Sequence, residues 1–383
     1  MSSTVQTRGR PRRPRVSSLL SRAAQLAQRA TTPLLPADYL DLFHPLRRGA
    51  DLRGRIGAVR PETSDAATLL IRPGADWAGH VPGQYVRVGV DVGGVRQWRA
   101  YSLTHGPRAD GHISITVKAV PGGAVSNHLV RHAVPGTLVH LEQAAGDFVL
   151  PPAGTKLLFV TAGSGITPVV GMLRNLFPVA DSGVIRLGRS TGYDITVVHV
   201  APSEPDSIFI DNLRALDEAG LIRLVARYRD VHGRLDVDDL SGLVPDLEER
   251  TTLACGPPGL LDALAAHHER RGIPLLTERF RLDTAPVAEG TAGGVLTFGR
   301  SGATVAADGT TPILQAAEDA GVLMPSGCRM GICYGCVLPL RAGAVRDLRT
   351  GAVTTASPQE SGPGGVPIQT CINAAVGACD IDH

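Results

Sequence analysis

The sequence predicts three folding units in succession: an antiparallel β-barrel, a parallel-sheet α/β domain and a small α+β domain. Short runs with strand propensity, separated by Gly, Pro and Asp, fill residues 52–150, and this spacing favours a closed antiparallel barrel. From residue 156 to 271, apolar strands alternate with helical segments, as in a parallel sheet covered by helices. Mixed strand and helix patterns follow residue 294, and 383 residues are enough for several domains.

The composition narrows the classes of function. A net charge of +2 and an aromatic content of 4% argue against a nucleic-acid partner. No apolar stretch reaches the length of about 18 residues that predicts a transmembrane helix, and the N-terminus lacks a signal-peptide pattern. Five arginines between Arg8 and Arg15 predict a basic, flexible segment over residues 1–48, either solvated or touching a membrane surface or an acidic partner, with an amphipathic helix at 16–30.

One strand of the predicted barrel carries residue types that suit a flavin. The six predicted strands are Arg53–Val59, Ala67–Ile71, Tyr85–Val90, Gln97–Leu103, Ile113–Val120 and Leu138–Glu142. Alternation along the fourth strand places Arg99 and Tyr101 on one face and Ser102 on the other. These side chains offer a cation for a phosphate, an aromatic face for a ring and a hydroxyl for a hydrogen bond. An ordinary strand is the alternative.

A glycine-rich loop adds to this prediction. Gly123, Val125 and Ser126 lie where the loop runs into a predicted helix that ends near Arg131. Backbone N–H groups at a helix N-terminus bind phosphate. A plain turn with Ser126 as the N-cap is the alternative interpretation.

Two loops of the α/β domain predict a nucleotide site. Strands are predicted at Leu157–Thr161, Ile195–Val200, Leu221–Arg227 and Thr251–Ala254, and helices at Val169–Phe177, Ile208–Ala219 and Leu260–Arg271. The run 163–168, with Gly163 and Thr167, follows the first strand, and the run 255–259, with Cys255, Gly256 and Pro257, follows the last. Ligands bind at the carboxyl ends of strands in open α/β sheets. Thr161 is a further candidate for contact with this ligand, and Cys255 is alternatively a small buried hydrophobe.

The third unit is predicted to follow a linker at 281–289. Strands at Val295–Phe298 and Thr304–Ala306 precede a helix that begins at Pro312 and ends at Ala320. A β-hairpin is predicted from Val337–Leu340 and Ala344–Arg346, with its turn at Gly343.

Four cysteines predict an iron–sulfur centre. Cys328, Cys333 and Cys336 have the spacing C-x4-C-x2-C, and Cys371 follows after 34 residues. This is the plant-type ligand set of a [2Fe–2S] cluster. A zinc site more often uses two close pairs, and six cysteines in 383 residues are too few for a disulfide-dense protein, but both alternatives stay open. Cys255 and Cys379 are predicted to be free thiols, as in a reducing compartment.

Taken in order, the motifs resemble one family. Arg-x-Tyr-Ser, the Ser-Asn loop, Gly-Asp-Phe at 146–148, Gly-x-Gly-x-x-Pro and Cys-Gly-Pro-Pro are similar to those of the ferredoxin–NADP reductase superfamily. With the cysteine loop, residues 50–383 resemble the fused reductases that supply oxygenases, hydroxylases and fatty-acyl desaturases. The resemblance implies an FAD-binding barrel at 49–153, an NAD(P)-binding domain at 154–282 and a β-grasp ferredoxin-like domain at 290–383.

The resemblance also implies roles for the candidate residues. On the flavin, Arg99 would bind the pyrophosphate, Tyr101 would stack on the ring, Ser102 would bond near N5, and Gly123, Val125 and Ser126 would hold the phosphates. On the nicotinamide nucleotide, Gly163 and Thr167 would seat the ligand, Cys255 would approach the reacting carbon, and Gly256 and Pro257 would form the wall. Ser102 and Cys255 are the catalytic candidates, and Phe280 is a candidate to cover the flavin.

The implied activity is electron transfer from NAD(P)H through FAD and the cluster to a protein acceptor. FMN stays an alternative to FAD. NADPH is favoured over NADH, although Ser203 and Glu204 favour opposite nucleotides. The first candidate for the acceptor is a membrane desaturase or hydroxylase, and the second is a Rieske-type or soluble oxygenase. A non-catalytic redox sensor or metal-binding protein is the alternative from another class. A monomer is expected, cytoplasmic and in peripheral contact with the inner membrane face.

Overall fold

The computed structural model describes residues 36–92, 94–178, 191–280, 293–327, 329, 331, 334–357 and 364–383. Three sheets follow one another along these residues: a six-stranded antiparallel sheet, a five-stranded parallel sheet and a seven-stranded mixed sheet. The predicted fold class is therefore confirmed. The predicted helix at 16–30 and the predicted linker at 281–289 lie outside the described residues, and the domain boundaries stay predictions.

The first sheet closes into a barrel. After helix α1 (Pro36–Phe43), its elements are β1 (Arg53–Thr63), β2 (Ala66–Pro73), β3 (Tyr85–Val92), β4 (Val95–Ser102), β5 (Ile113–Lys118), α2 (Ala124–Arg131) and β6 (Leu138–Leu141). The strand order is β4-β3-β6-β1-β2-β5. A bridge between Leu103 and Ile115 joins the two ends of this order, and the N–H of Thr104 donates to the carbonyl of Ser114 at 2.9 Å.

The second sheet is parallel, and helices cover both of its faces. Its elements are β7 (Lys156–Ala162), α3 (Ile166–Leu176), β8 (Asp194–Ala201), α4 (Ile210–Glu218), β9 (Arg223–Tyr228), α5 (Arg229–His232), α6 (Leu240–Leu243), β10 (Thr251–Cys255), α7 (Pro258–Arg271) and β11 (Leu275–Glu278). The order is β11-β10-β7-β8-β9. Strands β7, β8 and β10 are buried along most of their length, and strands covered on both faces are rich in apolar residues, which made them predictable together with β9. The fifth, β11, has only four residues and was missed.

The barrel and the parallel sheet share one apolar core. Ala66 and Phe148 from the barrel side belong to the same buried cluster as Val169 and Met172 of α3. A Cβ atom added at Gly83 would lie 2.1 Å from the carbonyl oxygen of Phe148. The loop before β3 therefore packs directly on the segment that leads into the second domain.

The third sheet is mixed and is organised around one long strand. Its elements are β12 (Gly294–Phe298), β13 (Thr304–Ala307), α8 (Ile313–Asp319), β14 (Val337–Asp347), β15 (Val353–Ala356), β16 (Val366–Gln369), β17 (Asn373–Ala375) and β18 (Cys379–Ile381). Strand β14 pairs with β15, β16, β17 and β18. Among the described residues no helix is long and apolar enough to cross a membrane.

The predicted hairpin turn at Gly343 is wrong. Strand β14 runs through Gly343 without reversal, and its register shift lies earlier, between Leu340 and Ala342. Gly343 has a φ of +105°, and a Cβ atom there would lie 2.2 Å from the carbonyl oxygen of Ala378. Glycine in a strand often marks such a close backbone approach rather than a turn. The predicted helix start also shifts by one residue, because Pro312 is the N-cap of α8.

This contact predicts that Gly343→Ala destabilises the third domain by roughly 2–4 kcal/mol, since it adds a steric clash to an unfavourable φ. Gly351→Ala is the matched control, because Gly351 also has a positive φ (+76°) but has no atom within 4 Å of an added Cβ. The control should lose only about 1 kcal/mol. Native-state hydrogen exchange of the β14 amides measures both, and equal losses would contradict the argument.

Candidate functional site

The predicted flavin residues lie at the end of β4. In the ladder with β3, Arg99 pairs with Val88, Tyr101 with Val86, and Ser102 with Tyr85. Burial lowers the pKa of Arg99 to about 10, with the nearby charge of Arg329 as the second cause. Burial also raises the pKa of Tyr101, so its hydroxyl keeps its proton.

Ser102 has a feature that the sequence could not reveal. Its side chain is 3% exposed, and its Oγ has no hydrogen-bond partner within the described part of the chain. A buried hydroxyl without a hydrogen-bond partner lowers the stability of the folded protein, so natural proteins rarely leave one unsatisfied. A hydrogen-bonding ligand at this point would restore the missing bond.

The glycine-rich loop forms the entry to α2. Gly122 has a φ of +71°, and a Cβ atom at Gly123 would lie 2.5 Å from the Oγ of Ser126. No side chain caps α2, whose first-turn N–H groups have no acceptor inside the helix. The Ser126 hydroxyl instead bonds to the loop, accepting from the N–H of Val120 at 3.2 Å. Val125 is buried in the barrel core, which leaves its backbone as the part able to meet a phosphate.

The two predicted nucleotide loops lie side by side. A 3₁₀ turn at Gly163–Gly165 links β7 to α3, and the second loop leads into α7 with Pro257 as its N-cap. A Cβ atom at Gly165 would lie 2.1 Å from the carbonyl oxygen of Cys255 and 2.9 Å from the nitrogen of Gly256. The loops therefore touch backbone to backbone. Thr167 is buried in the first turn of α3, and its hydroxyl donates to the carbonyl of Ser164 at 2.9 Å.

A row of polar side chains crosses the sheet beside these loops. In the strand registers, Glu278 is next to Cys255, Cys255 is next to Thr161, and Thr161 is next to His199. The hydroxyl of Thr161 and Nδ1 of His199 are hydrogen-bonded at 2.8 Å, and both residues are fully buried. This bond occupies Thr161, which was a candidate for contact with the nucleotide.

Glu278 is the titratable group that the sequence analysis missed. Burial raises its pKa to about 8, and its Oε2 has no partner in the described residues. The neighbouring Cys255 is fully buried, and burial with the charge of Glu278 raises the pKa of its thiol. Both groups are therefore uncharged at neutral pH. Only the strand β11, unpredictable from its four residues, brings Glu278 here. Phe280 packs on the core of this domain.

Half of the predicted cluster ligands are in the described residues. Cys336 and Cys371 are buried at 1% and 3% exposure in a small apolar group with Leu314 and Ile372, whereas Cys328 and Cys333 lie outside the described residues. A hydrogen bond with Cys371 lowers the pKa of Cys336 to about 6. Two adjoining sulfur donors, one already inclined to ionise, fit an iron–sulfur cluster, whose ligands are thiolates.

The other two cysteines of the described residues lie away from this pair. Cys255 and Cys379 are buried free thiols. The Sγ of Cys379 donates to the carbonyl of Ala344 at 3.0 Å, and burial raises the pKa of Cys379.

The uncapped α2 turn and the orphan Ser102 hydroxyl fit a flavin nucleotide, the paired glycine loops fit a second nucleotide, and the cysteine pair fits a cluster. The fold and these sites define a flavin- and iron–sulfur-dependent NAD(P)H oxidoreductase. Residues 67–150 match the oxidoreductase FAD-binding domain, and residues 296–375 match the 2Fe-2S iron-sulfur cluster binding domain. FAD and the [2Fe–2S] cluster are thus its cofactors.

Whole-chain comparisons agree. The chain is 46% identical over 368 residues to an NADPH oxidoreductase of Mycobacterium tuberculosis, covering 94% of this chain and 91% of that protein. It is 28% identical to the ferredoxin reductase component of the 3-ketosteroid-9-alpha-monooxygenase of Mycolicibacterium smegmatis. That match covers 74% of this chain and 84% of the relative. The structure of phthalate dioxygenase reductase matches over 86% of this chain and 97% of its own chain, with a TM-score of 0.56. At 20% sequence identity, this similarity shows the fold alone.

The chain belongs to the ferredoxin–NADP reductase superfamily, among the reductases that carry a C-terminal plant-type [2Fe–2S] domain. The predicted enzyme class is confirmed, and so is the prediction of FAD. The interpretations as a zinc protein or a non-catalytic redox sensor are not favoured. The roles of individual residues stay predictions.

The raised pKa of Glu278 predicts a pH dependence of stability. The folded protein keeps a proton that the unfolded chain releases above the ordinary value of 4.5, so the contribution of this carboxyl to the free energy of unfolding falls as pH rises from 4.5 to about 8. Glu278→Gln should therefore show a smaller fall in melting temperature between pH 5 and pH 8 than the unsubstituted protein. Glu269→Gln, on the exposed face of α7, is the control. Parallel curves for Glu278→Gln and the unsubstituted protein would contradict the assignment.

Proposed function

We propose that this reductase takes electrons from NADPH and delivers them one at a time to a membrane-bound oxygenase or desaturase. The observation that carries the proposal is the combination, on one chain, of a flavin barrel, a nucleotide crevice and a buried pair of cluster thiols. When bound, FAD accepts two electrons as a hydride and releases them singly, and the cluster carries one at a time. The protein supplies binding, orientation and electrostatics.

On the flavin side, three residues of β4 divide the work. Arg99 supplies positive charge for the pyrophosphate, Tyr101 covers the ring, and Ser102 donates the hydrogen bond that its Oγ lacks within the described chain. The backbone at Gly123, Val125 and Ser126 presents N–H groups to the phosphates.

On the nucleotide side, the chain provides a crevice with neutral walls. Gly163 and Thr167 seat the nucleotide at the start of α3, while Gly256 and Pro257 form the opposite wall. Glu278 keeps a proton at neutral pH because its pKa is about 8. With Cys255 also protonated, no fixed charge at these positions opposes the movement of a hydride.

Charges around the end of β8 favour NADPH. The carboxylate of Glu204, the group that would suit a bare ribose, is already paired with Arg214 at 2.5 Å. Arg229 is exposed and has no side-chain partner in the described residues, and the loop at Pro202 is adjacent because its carbonyl accepts from the N–H of Asp230 at 3.1 Å. A free guanidinium beside this loop suits a 2′-phosphate. The relative at 46% identity is named for NADPH.

This argument predicts that Arg229→Ala raises the KM for NADPH roughly tenfold or more, because a charge-assisted contact contributes about 1.5–3 kcal/mol. The KM for NADH should stay within about twofold. Arg223→Ala is the control: Arg223 is also exposed but lies at the amino end of β9, away from the loop at Pro202, and bonds to the carbonyl of Leu243 at 2.9 Å. Steady-state reduction of ferricyanide measures all four constants, and equal losses with both nucleotides would contradict the role.

The N-terminal region favours a membrane-associated acceptor. Residues 1–35 contain seven arginines and no acidic residue. Helix α1 follows and exposes Leu40, Leu42 and Phe43 by 52%, 70% and 78%. Basic charge together with exposed apolar side chains is the combination that binds peripheral proteins to anionic bilayers. The relative that serves a monooxygenase supports the oxygenase class.

We therefore expect the full chain to co-sediment with vesicles that contain phosphatidylglycerol and not with pure phosphatidylcholine. Leu42→Ser with Phe43→Ser should lower the vesicle partition coefficient roughly tenfold or more, since each substitution removes an apolar side chain that would be buried in the bilayer. Val231→Ser, which changes a 72% exposed valine elsewhere, is the matched control. Deleting residues 1–48 should abolish sedimentation. Equal vesicle binding by all variants would remove the N-terminal region as support for the proposal, and no binding by the full chain would favour a soluble oxygenase as the acceptor.

A further inference from the structure

We propose that Arg174 is a positioning residue that fixes the distance between the nicotinamide crevice, formed by the loops at 163–168 and 255–259, and Ser102 at the end of the flavin strand β4. Arg174 lies near the end of α3, and its guanidinium contacts both the barrel and the nucleotide domain at the boundary (the seam) between them. The inference rests on the roles proposed above for Ser102 and Thr167. It assigns to Arg174 no contact with either cofactor.

The contacts of Arg174 reach both domains. Its Nη1 donates to the carbonyl of Thr104 at 3.3 Å and lies 3.4 Å from Nε2 of His105, both just beyond the end of β4. Its Nη2 donates to Oδ1 of Asn212 on α4. The guanidinium carbon also stacks 4.5 Å from the ring centroid of Phe209, the N-cap of α4. One side chain therefore joins the flavin strand to two helices of the nucleotide domain.

Helix α3 presents a single face to the flavin strand. Thr167, Gly171 and Arg174 are spaced i, i+4 and i+7, so they lie along one side of the helix. A Cβ atom at Gly171 would lie 2.2 Å from the carbonyl oxygen of Leu103, the residue that follows Ser102. The face that begins with the nucleotide residue Thr167 thus rests, one turn later at Gly171 and two turns later at Arg174, on the chain that follows the flavin residue Ser102.

The chemistry of this contact suits arginine and not lysine. Burial lowers the pKa of Arg174 to about 10, and burial followed by the charge of Arg174 lowers that of His105 to about 3, so the imidazole is neutral. A planar guanidinium can donate in two directions and stack on Phe209 at once, whereas an ammonium is a compact point charge. Phe209 adopts a left-handed φ of 63°, an uncommon conformation for an aromatic residue, and in it provides the stacking ring.

The test compares Arg174→Met and Arg174→Lys with the unsubstituted holoenzyme in anaerobic stopped-flow reduction by NADPH. The limiting rate of flavin reduction should fall roughly tenfold or more in Arg174→Met and less in Arg174→Lys, because small misplacements slow a reaction strongly. The dissociation constant of NADPH should stay within about threefold. The long-wavelength charge-transfer band between flavin and nicotinamide should weaken. Amides of Leu103 and Thr104 should exchange hydrogen faster.

Gly171→Ala perturbs the same seam from another position, and it should also lower the limiting rate and the charge-transfer band. The control is Arg250→Lys. Arg250 is also buried (5% exposed) and binds the carboxylates of Asp194 and Asp246, but it lies at the amino ends of the strands. Arg250→Lys should lower the melting temperature and leave the limiting rate unchanged.

An unchanged limiting rate and charge-transfer band in Arg174→Met would overturn the proposal. So would a defect confined to melting temperature, as expected for Arg250→Lys, or one confined to FAD content. If the unsubstituted protein is not reduced by NADPH, the proposed nucleotide is wrong, and hydrogen exchange still decides whether Arg174 holds the chain at 103–104.

Discussion

Close backbone contacts at glycine set the distances between the functional parts of this reductase. Gly165 brings the first nucleotide loop against the carbonyl of Cys255, and Gly171 brings α3 against the carbonyl of Leu103. At both points a Cβ atom would lie little more than 2 Å from a backbone oxygen, so any side chain would force the elements apart. Packed interiors do not absorb such a shift locally. Gly165 therefore sets the spacing of the two nucleotide loops, and Gly171 sets the spacing between α3 and the chain that follows β4.

The same region shows how charge is distributed around the proposed nucleotide site. The groups nearest the crevice are neutral: Glu278 and Cys255 both have raised pKa values, and His199 has its pKa lowered to about 4 by burial. Arg99, proposed above for the flavin phosphates, keeps its positive charge at neutral pH because burial lowers its pKa only to about 10. A buried carboxylate beside the nicotinamide would need a partner or would disfavour the negative charge that moves with a hydride. Burial alone, without an added cation, keeps Glu278 in the acid form.

The sequence predicts what depends on local pattern and fails where tertiary contacts decide. Strands in the barrel and in the parallel sheet were predictable, because alternation and continuous apolar runs reflect burial directly. Gly343 has the local signature of a turn, yet it serves a close approach of a chain segment 35 residues away. The sequence around Glu278 carries no signal for the same reason: the environment that raises its pKa consists of residues distant in sequence. The Ser126 hydroxyl, a predicted phosphate ligand, bonds instead to its own loop.

In the third domain, hydrogen bonds of the fold position two of the predicted cluster cysteines independently of metal binding. Sheet pairing and local bonds fix Cys336 and Cys371 relative to each other: Thr370 donates through both its N–H and its hydroxyl to the carbonyl of Cys336, at 3.2 Å and 2.9 Å. Gln369 reaches back to the carbonyl of Gly331 at 3.0 Å, and so ties the ligand loop to β16. These bonds use only backbone and neutral side chains. These bonds place the two sulfurs in a buried apolar group without the help of iron. Folding of the sheet therefore already includes part of the conformational entropy cost of ordering the site, and metal binding has to order less of the chain.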